Sequence, residues 1–119
     1  MTHNQLQSAC HLWLWNTYPE LRYLAHANIN NLTTETTNAR VQMAQLKAIG
    51  LVAGVLDYEF LFRGILYAFD FKVGADHLSD KQLAYIHITE QHGGKCFEIR
   101  SVEEFQKIIK KIVEKSLVG

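Results

Sequence analysis

Two apolar-rich runs, Val55 to Phe62 and Ile65 to Val73, are separated only by Arg63-Gly64. This spacing predicts a β-hairpin, and the rest of the chain is read around it. Upstream, Leu6, Cys10, Trp13, Leu14 and Thr17 recur every three or four residues, which predicts a helix over Gln5–Tyr18 stopped by Pro19. Leu21 to Ile29 is short and mixed and reads as a strand. The polar run Asn30 to Thr37 reads as a loop ending in helix-capping residue types. Asn38 to Ile49 reads as a second helix, with Val41, Ala44, Leu46 and Ile49 as its apolar positions and Gly50 as its C-terminal cap. Downstream, Ser79-x-x-Gln82 is a capping box opening a helix to about Gln91, and Gly93-Gly94 ends it. Lys95 to Ile99 alternates as a strand does. Ser101-x-x-Glu104 opens a last helix to about Lys115. The order α β α β β α β α implies an α/β domain with a mixed central sheet flanked by helices.

Composition narrows the class further. At 119 residues, the expectation is a single domain over 1–119, large enough to bury a core without staples. A hydrophobic share of 48% excludes a disordered chain. Two cysteines, Cys10 and Cys96, cannot form a disulfide scaffold. No apolar run approaches the ~20 residues of a membrane span, and the polar start carries no visible signal peptide. The expectation is a soluble protein of a reducing, cytoplasmic compartment. The formal net charge is zero, which argues against coating nucleic acid by bulk charge. Lys107, Lys110, Lys111 and Lys115 still form a local basic set, either a solvated helix face or a phosphate contact. The six histidines include no His-x-x-x-His pair and the cysteines no Cys-x-x-Cys, so zinc is not indicated. Trp13 and Trp15 lie roughly 200° apart around a helix, so one of them should be exposed or at a dimer interface.

The chemistry concentrates in Tyr67-Ala68-Phe69-Asp70-Phe71-Lys72-Val73. Strand side chains repeat with period two, so Asp70 and Lys72 share one face while Phe69, Phe71 and Val73 take the other. Charges on a core strand need pairing or a metal. Taken alone, Asp-x-Lys could be a structural ion pair. Asp57, at the start of the preceding hairpin strand, changes that. If the register lets Asp57 and Asp70 meet, they form a two-carboxylate cage of the kind Mg2+ accepts. A cation so held could activate a water and stabilise charge on a scissile phosphate, with Lys72 orienting either. Glu59 shares the face of Asp57 and is either a further acid or an edge-strand surface acid.

Asp57 followed by Asp70-Phe71-Lys72 resembles the PD-(D/E)xK nuclease signature. Several longer segments resemble the VRR-NUC family, in order along most of the chain. They are Leu6-Gln7-x-Ala9-Cys10-x-x-Trp13, Leu46-Lys47-Ala48-x-Gly50-x-x-Ala53-Gly54-Val55-x-Asp57, Asp70-Phe71-Lys72-Val73-Gly74, Leu78-Ser79-x-x-Gln82 and Arg100-Ser101-Val102-Glu103-Glu104-Phe105. The resemblance implies a restriction-endonuclease-like core. It implies Asp57, Asp70 and the main-chain carbonyl of Phe71 as ligands of Mg2+ or Mn2+, Lys72 as the catalytic lysine, and Gln82 lining the site. It also implies a homodimer acting on branched DNA such as four-way junctions. The chain departs from the pattern at Leu56, where the family has proline, at Asp70, where it usually has glutamate, and at His3, where its first helix carries a glutamate.

The leading expectation is therefore a metal-dependent DNA endonuclease that hydrolyses phosphodiester bonds, with Asp57, Asp70, Lys72 and Gln82 as catalytic residues. The alternative is a weakened or inactive nuclease-fold protein that binds branched DNA without cutting, motivated by the histidine at position 3. A third reading is a homodimeric interaction module with a structural Asp–Lys pair.

Overall fold

A computed structural model describes residues 1–28 and 39–118. Helix α1 spans His3–Thr17, followed by a 3-10 turn at Pro19–Leu24, strand β1 at Ala25–Ala27 and helix α2 at Ala39–Ala48. The hairpin strands are β2, Tyr58–Phe62, and β3, Ile65–Phe71. Helix α3 spans Asp80–Gln91, strand β4 Lys95–Ile99 and helix α4 Val102–Val118. The order and type of the elements are those expected from the sequence. The sheet runs β1-β2-β3-β4, antiparallel except for the parallel β3–β4 pair. It is a mixed sheet with helices against it.

The hairpin turn is tight because Arg63 and Gly64 both adopt positive φ, 50° and 82°. That backbone twist matches the right-handed twist of the strands it joins. The first strand is shorter than expected. Pro19, with its fixed φ, starts a 3-10 turn that takes up Pro19–Leu24, and only Ala25–Ala27 pair with β2. Helix α2 forms as expected, but its apolar positions are not buried: Val41 is 56% exposed, Ile49 beyond its end 82%, and no residue from Arg40 to Ala48 is buried. The period there marked a helix without marking a packed one. The loop expected at Asn30–Thr37 lies outside the described residues.

The core lies on one face of the sheet. Tyr58 and Phe60 of β2 and Tyr67, Phe69 and Phe71 of β3 meet Leu6, Cys10 and Leu14 of α1 and Phe105, Ile109 and Val113 of α4. Phe105 is the hub, with ring centroids 5.1 Å from Phe69, 6.0 Å from Phe71, 6.1 Å from Tyr58 and 6.2 Å from Trp13. Edge-to-face and tilted contacts of this kind add to plain burial. Trp13 packs against this core, while Trp15 is 40% exposed beneath the guanidinium of Arg22, as the spacing around α1 requires. The four lysines Lys107, Lys110, Lys111 and Lys115 are all exposed on α4. Among the described residues no helix is long and apolar enough to cross a membrane.

Candidate active site

The other face of β3 carries Asp70, the one buried charged residue among those described, with no exposed surface at all. It projects there because its neighbours Phe69 and Phe71 are held in the core. Asp57 stands one residue before β2. The register Tyr58↔Phe69, continued by one step, sets it opposite Asp70. Several contacts hold Asp57 in place. Its main-chain carbonyl accepts the Asn28 N–H at 2.8 Å, its Oδ2 accepts the Phe71 N–H at 2.8 Å, and the same oxygen meets His3 Nε2 at 3.0 Å. The carboxylate thus lies against β3 beside Asp70. Gly54 makes this placement possible. Its φ is +94°, and a Cβ there would sit 2.5 Å from the Lys81 carbonyl oxygen, so only glycine lets the segment before Asp57 press onto the start of α3.

Helix α3 completes the group through its cap. Ser79 Oγ accepts the Gln82 N–H at 3.1 Å, and Gln82 Oε1 accepts the Ser79 N–H at 2.9 Å. The same Gln82 side chain faces β3. Its Nε2 donates to Asp70 Oδ1 at 3.0 Å, and its Oε1 also accepts from Lys72 Nζ at 3.2 Å. Lys72 Nζ lies 2.9 Å from Asp70 Oδ2, an oxygen that receives no well-angled hydrogen bond. Asp57, Asp70, Lys72 and Gln82 are therefore brought together, with the Phe71 main chain between the two acids. A cavity of about 450 Å3 opens over them, lined by His3, Asp57, Lys72, His77, Lys81 and Gln82 among others. Asp70 is fully buried and does not line it; it is reached through its contacts with Lys72 and Gln82, which do.

Electrostatics follow from this packing. Burial pushes the Asp70 carboxyl up to about 6; Lys72 pulls it back, and the charge and hydrogen bonding of Asp57 reinforce the rise. Burial works against the charged form of His3. Hydrogen bonds to Asp57 and Asn4 and the charges of Asp57 and Asp70 outweigh it, and its pKa rises above the usual 6.5.

Glu59 does not join the group. Asn28 Nδ2 donates to it at 3.0 Å and His26 lies 3.8 Å away. His3 does join it, and the residue-type patterns missed it. The only signal was its position on α1, where it reads as a missing acid rather than as a partner of Asp57. Among the described residues no three His, Cys, Asp or Glu side chains already surround a common point for a cation. The donor set still suits a hard divalent ion in kind: two neighbouring carboxylates, one with a buried oxygen whose bonding capacity is not used up. The Lys72 ammonium answers that negative charge in the structure as it stands.

No family model matches the sequence, and no curated protein is similar enough to match it. A solved structure described as a VRR_NUC domain protein does resemble it. The likeness covers 96% of this chain and 89% of that one at a TM-score of 0.76, with 14% sequence identity. Identity that low speaks for backbone arrangement alone. The α/β fold of this chain, with its mixed four-stranded sheet, is accordingly that of a VRR_NUC domain.

Proposed function

We propose that the chain is a Mg2+- or Mn2+-dependent DNA endonuclease hydrolysing phosphodiester bonds, selective for branched DNA such as four-way junctions, and that it acts as a homodimer. The observation that carries this reading is Asp70, a carboxylate buried at a stability cost beside a second acid, an ammonium and a glutamine on a nuclease-type fold. The side chains of Asp57 and Asp70 and the carbonyl of Phe71 would hold the cation. The chemistry such a cation supplies when bound is charge against the scissile phosphate and acidification of the attacking water. Lys72, turning from Asp70, positions that water and the phosphate oxygens from the same face of β3. Gln82 holds Asp70 Oδ1, leaving Oδ2, which now meets Lys72, as the oxygen that would bind a cation, and His3 steadies Asp57. A two-fold enzyme presents two such sites to the paired strands of a two-fold junction, which supports the dimer.

Cleavage of a four-way junction and of plasmid DNA, with Mn2+ and with EDTA, tests this. Asp70→Asn and Lys72→Ala are each expected to lower the rate roughly a thousandfold or more while circular dichroism stays unchanged. Undiminished cutting by both folded variants overturns the mechanism. The second reading, binding without cutting, draws on His3 standing in the site and on Lys72 being engaged by Asp70. Junction binding by the wild type with no metal-dependent product would establish it instead.

A further inference from the structure

The wall formed by His3 and Asp57 has a second side. Beyond it lies a hollow of about 620 Å3 between α1 and β1, bounded by both residues and open to solvent. Its size is that of a small-molecule site. We infer that this hollow receives one unpaired nucleobase of the DNA strand whose phosphate lies over Asp57 and Lys72. The inference rests on the nuclease reading and names what would make that nuclease prefer branched DNA.

The two linings differ in the way this requires. The cavity over Lys72 also carries Lys81, and both cations suit phosphate oxygens. Among the described residues the hollow has no Lys or Arg in its lining, and its one carboxylate is the shared Asp57. Beyond the imidazoles of His3, His11 and His26, a phosphate would find no cation there. Asn4, Gln7 and Ser8 line the α1 side instead. These are uncharged donors and acceptors, the groups that match the edge of a base. The opposite side combines the small apolar Ala25 and Ala27 with His26 and Asn28. His11 supplies a planar ring whose position is set from behind. Its Nδ1 lies 2.8 Å from the Tyr58 hydroxyl, and its ring is tilted against Trp15 at 5.7 Å. A held ring beside neutral polar side chains is a stacking and reading surface for a base.

Continuity supplies the rest. Because His3 and Asp57 border both spaces, a strand with its phosphate in one has the adjoining nucleoside at the mouth of the other. In a paired duplex that base must first leave its stack and its partner; at a branch point or flap it is already free. Selectivity for branched DNA then follows from a place to put the base, without sequence readout.

The test uses the full chain in EDTA, so that nothing is cut. Two DNAs of one sequence carry 2-aminopurine at the same position, unpaired in a flap in one and paired in the other. Wild type is expected to bind the unpaired form about tenfold tighter, with a change in the probe's fluorescence. Ser8→Leu, which fills the hollow without adding a ring, should bring that ratio close to one by weakening binding of the unpaired form. His11→Asn keeps a hydrogen-bonding atom for Tyr58 and removes the ring. It should lower the ratio too, and it decides the matter if Ser8→Leu does not fold. A folded Ser8→Leu that keeps the tenfold ratio overturns the subsite. Equal binding of both DNAs by wild type overturns it as well and leaves the nuclease reading standing. Failure of wild type to bind either DNA sinks the two together.

Discussion

One strand, β3, builds the two most dissimilar regions of the molecule. Its odd-numbered residues Phe69 and Phe71 enter the aromatic core around Phe105; its even-numbered Asp70, with Lys72 just beyond its end, makes the polar group under α3. Fully burying a phenylalanine side chain contributes about 1.5–3 kcal/mol. Burying an ionised carboxylate costs free energy unless its partners repay the lost water. The face that stabilises therefore fixes the face that does not, and a one-residue slip of register would exchange them. The largest expected effect comes from breaking the stabilising side. Phe105→Ala removes the ring shared by Phe69, Phe71, Tyr58 and Trp13, and should lower unfolding stability by about 3–5 kcal/mol in urea denaturation. A loss below about 1 kcal/mol would mean that this cluster is not what anchors the sheet.

The opposite face should respond with the opposite sign. The Asp70 carboxyl, raised by burial to about 6 from 3.8, favours the folded state in its protonated form. Its contribution is fully present below the unfolded value, fades as pH rises toward 6, and above that the metal-free protein carries the cost of the buried charge. Asp70→Asn removes that cost. In EDTA at pH 7.5 the variant should be more stable than wild type, by on the order of 2–3 kcal/mol, with the gap closing toward pH 4. Thermal or urea unfolding at both pH values measures it. A gap that does not change with pH would show that the carboxyl is not titrating in the buried state. A substitution that abolishes cutting and stabilises the fold is what a site kept for chemistry rather than for stability should give.

These two faces were legible in the sequence to different degrees. Alternation from Phe69 onward separates core from charge, and Arg63-Gly64 sets the hairpin register that brings Asp57 opposite Asp70. Ser79-x-x-Gln82 marked the start of α3 for the same local reason that it works there, a reciprocal pair of hydrogen bonds. What lay beyond reach depends on contacts distant in the chain. Nothing near His3 signals Asp57, which is 54 residues away. Nothing near Gly54 signals the Lys81 carbonyl that forbids a side chain there. Helix α2 failed in the other direction, since a helical period reports local geometry and carries no information on whether a partner exists to bury it.

The two serine-capped helix starts offer the smallest and most discriminating contrast. Ser79 Oγ accepts the Gln82 N–H at 3.1 Å and Ser101 Oγ accepts the Glu104 N–H at 3.1 Å, so the serine half of each cap is the same, but only Gln82 completes the expected box by accepting the Ser79 N–H at 2.9 Å. They differ in what the third helical residue does next. Gln82 reaches Asp70 and Lys72, whereas Glu104 returns to Ser101 Oγ at 3.3 Å on the exposed surface. Ser79→Ala and Ser101→Ala should each cost about 1 kcal/mol in urea unfolding, the ordinary worth of an N-cap. Only Ser79→Ala should also slow metal-dependent cleavage, about fivefold, because fraying of the first turn of α3 loosens the grip of Gln82 on Asp70. An equal slowing by Ser101→Ala would trace the effect to global stability and remove the cap of α3 from the site. Slowing confined to Ser79→Ala would place a helix terminus among the groups that hold the buried acid in position.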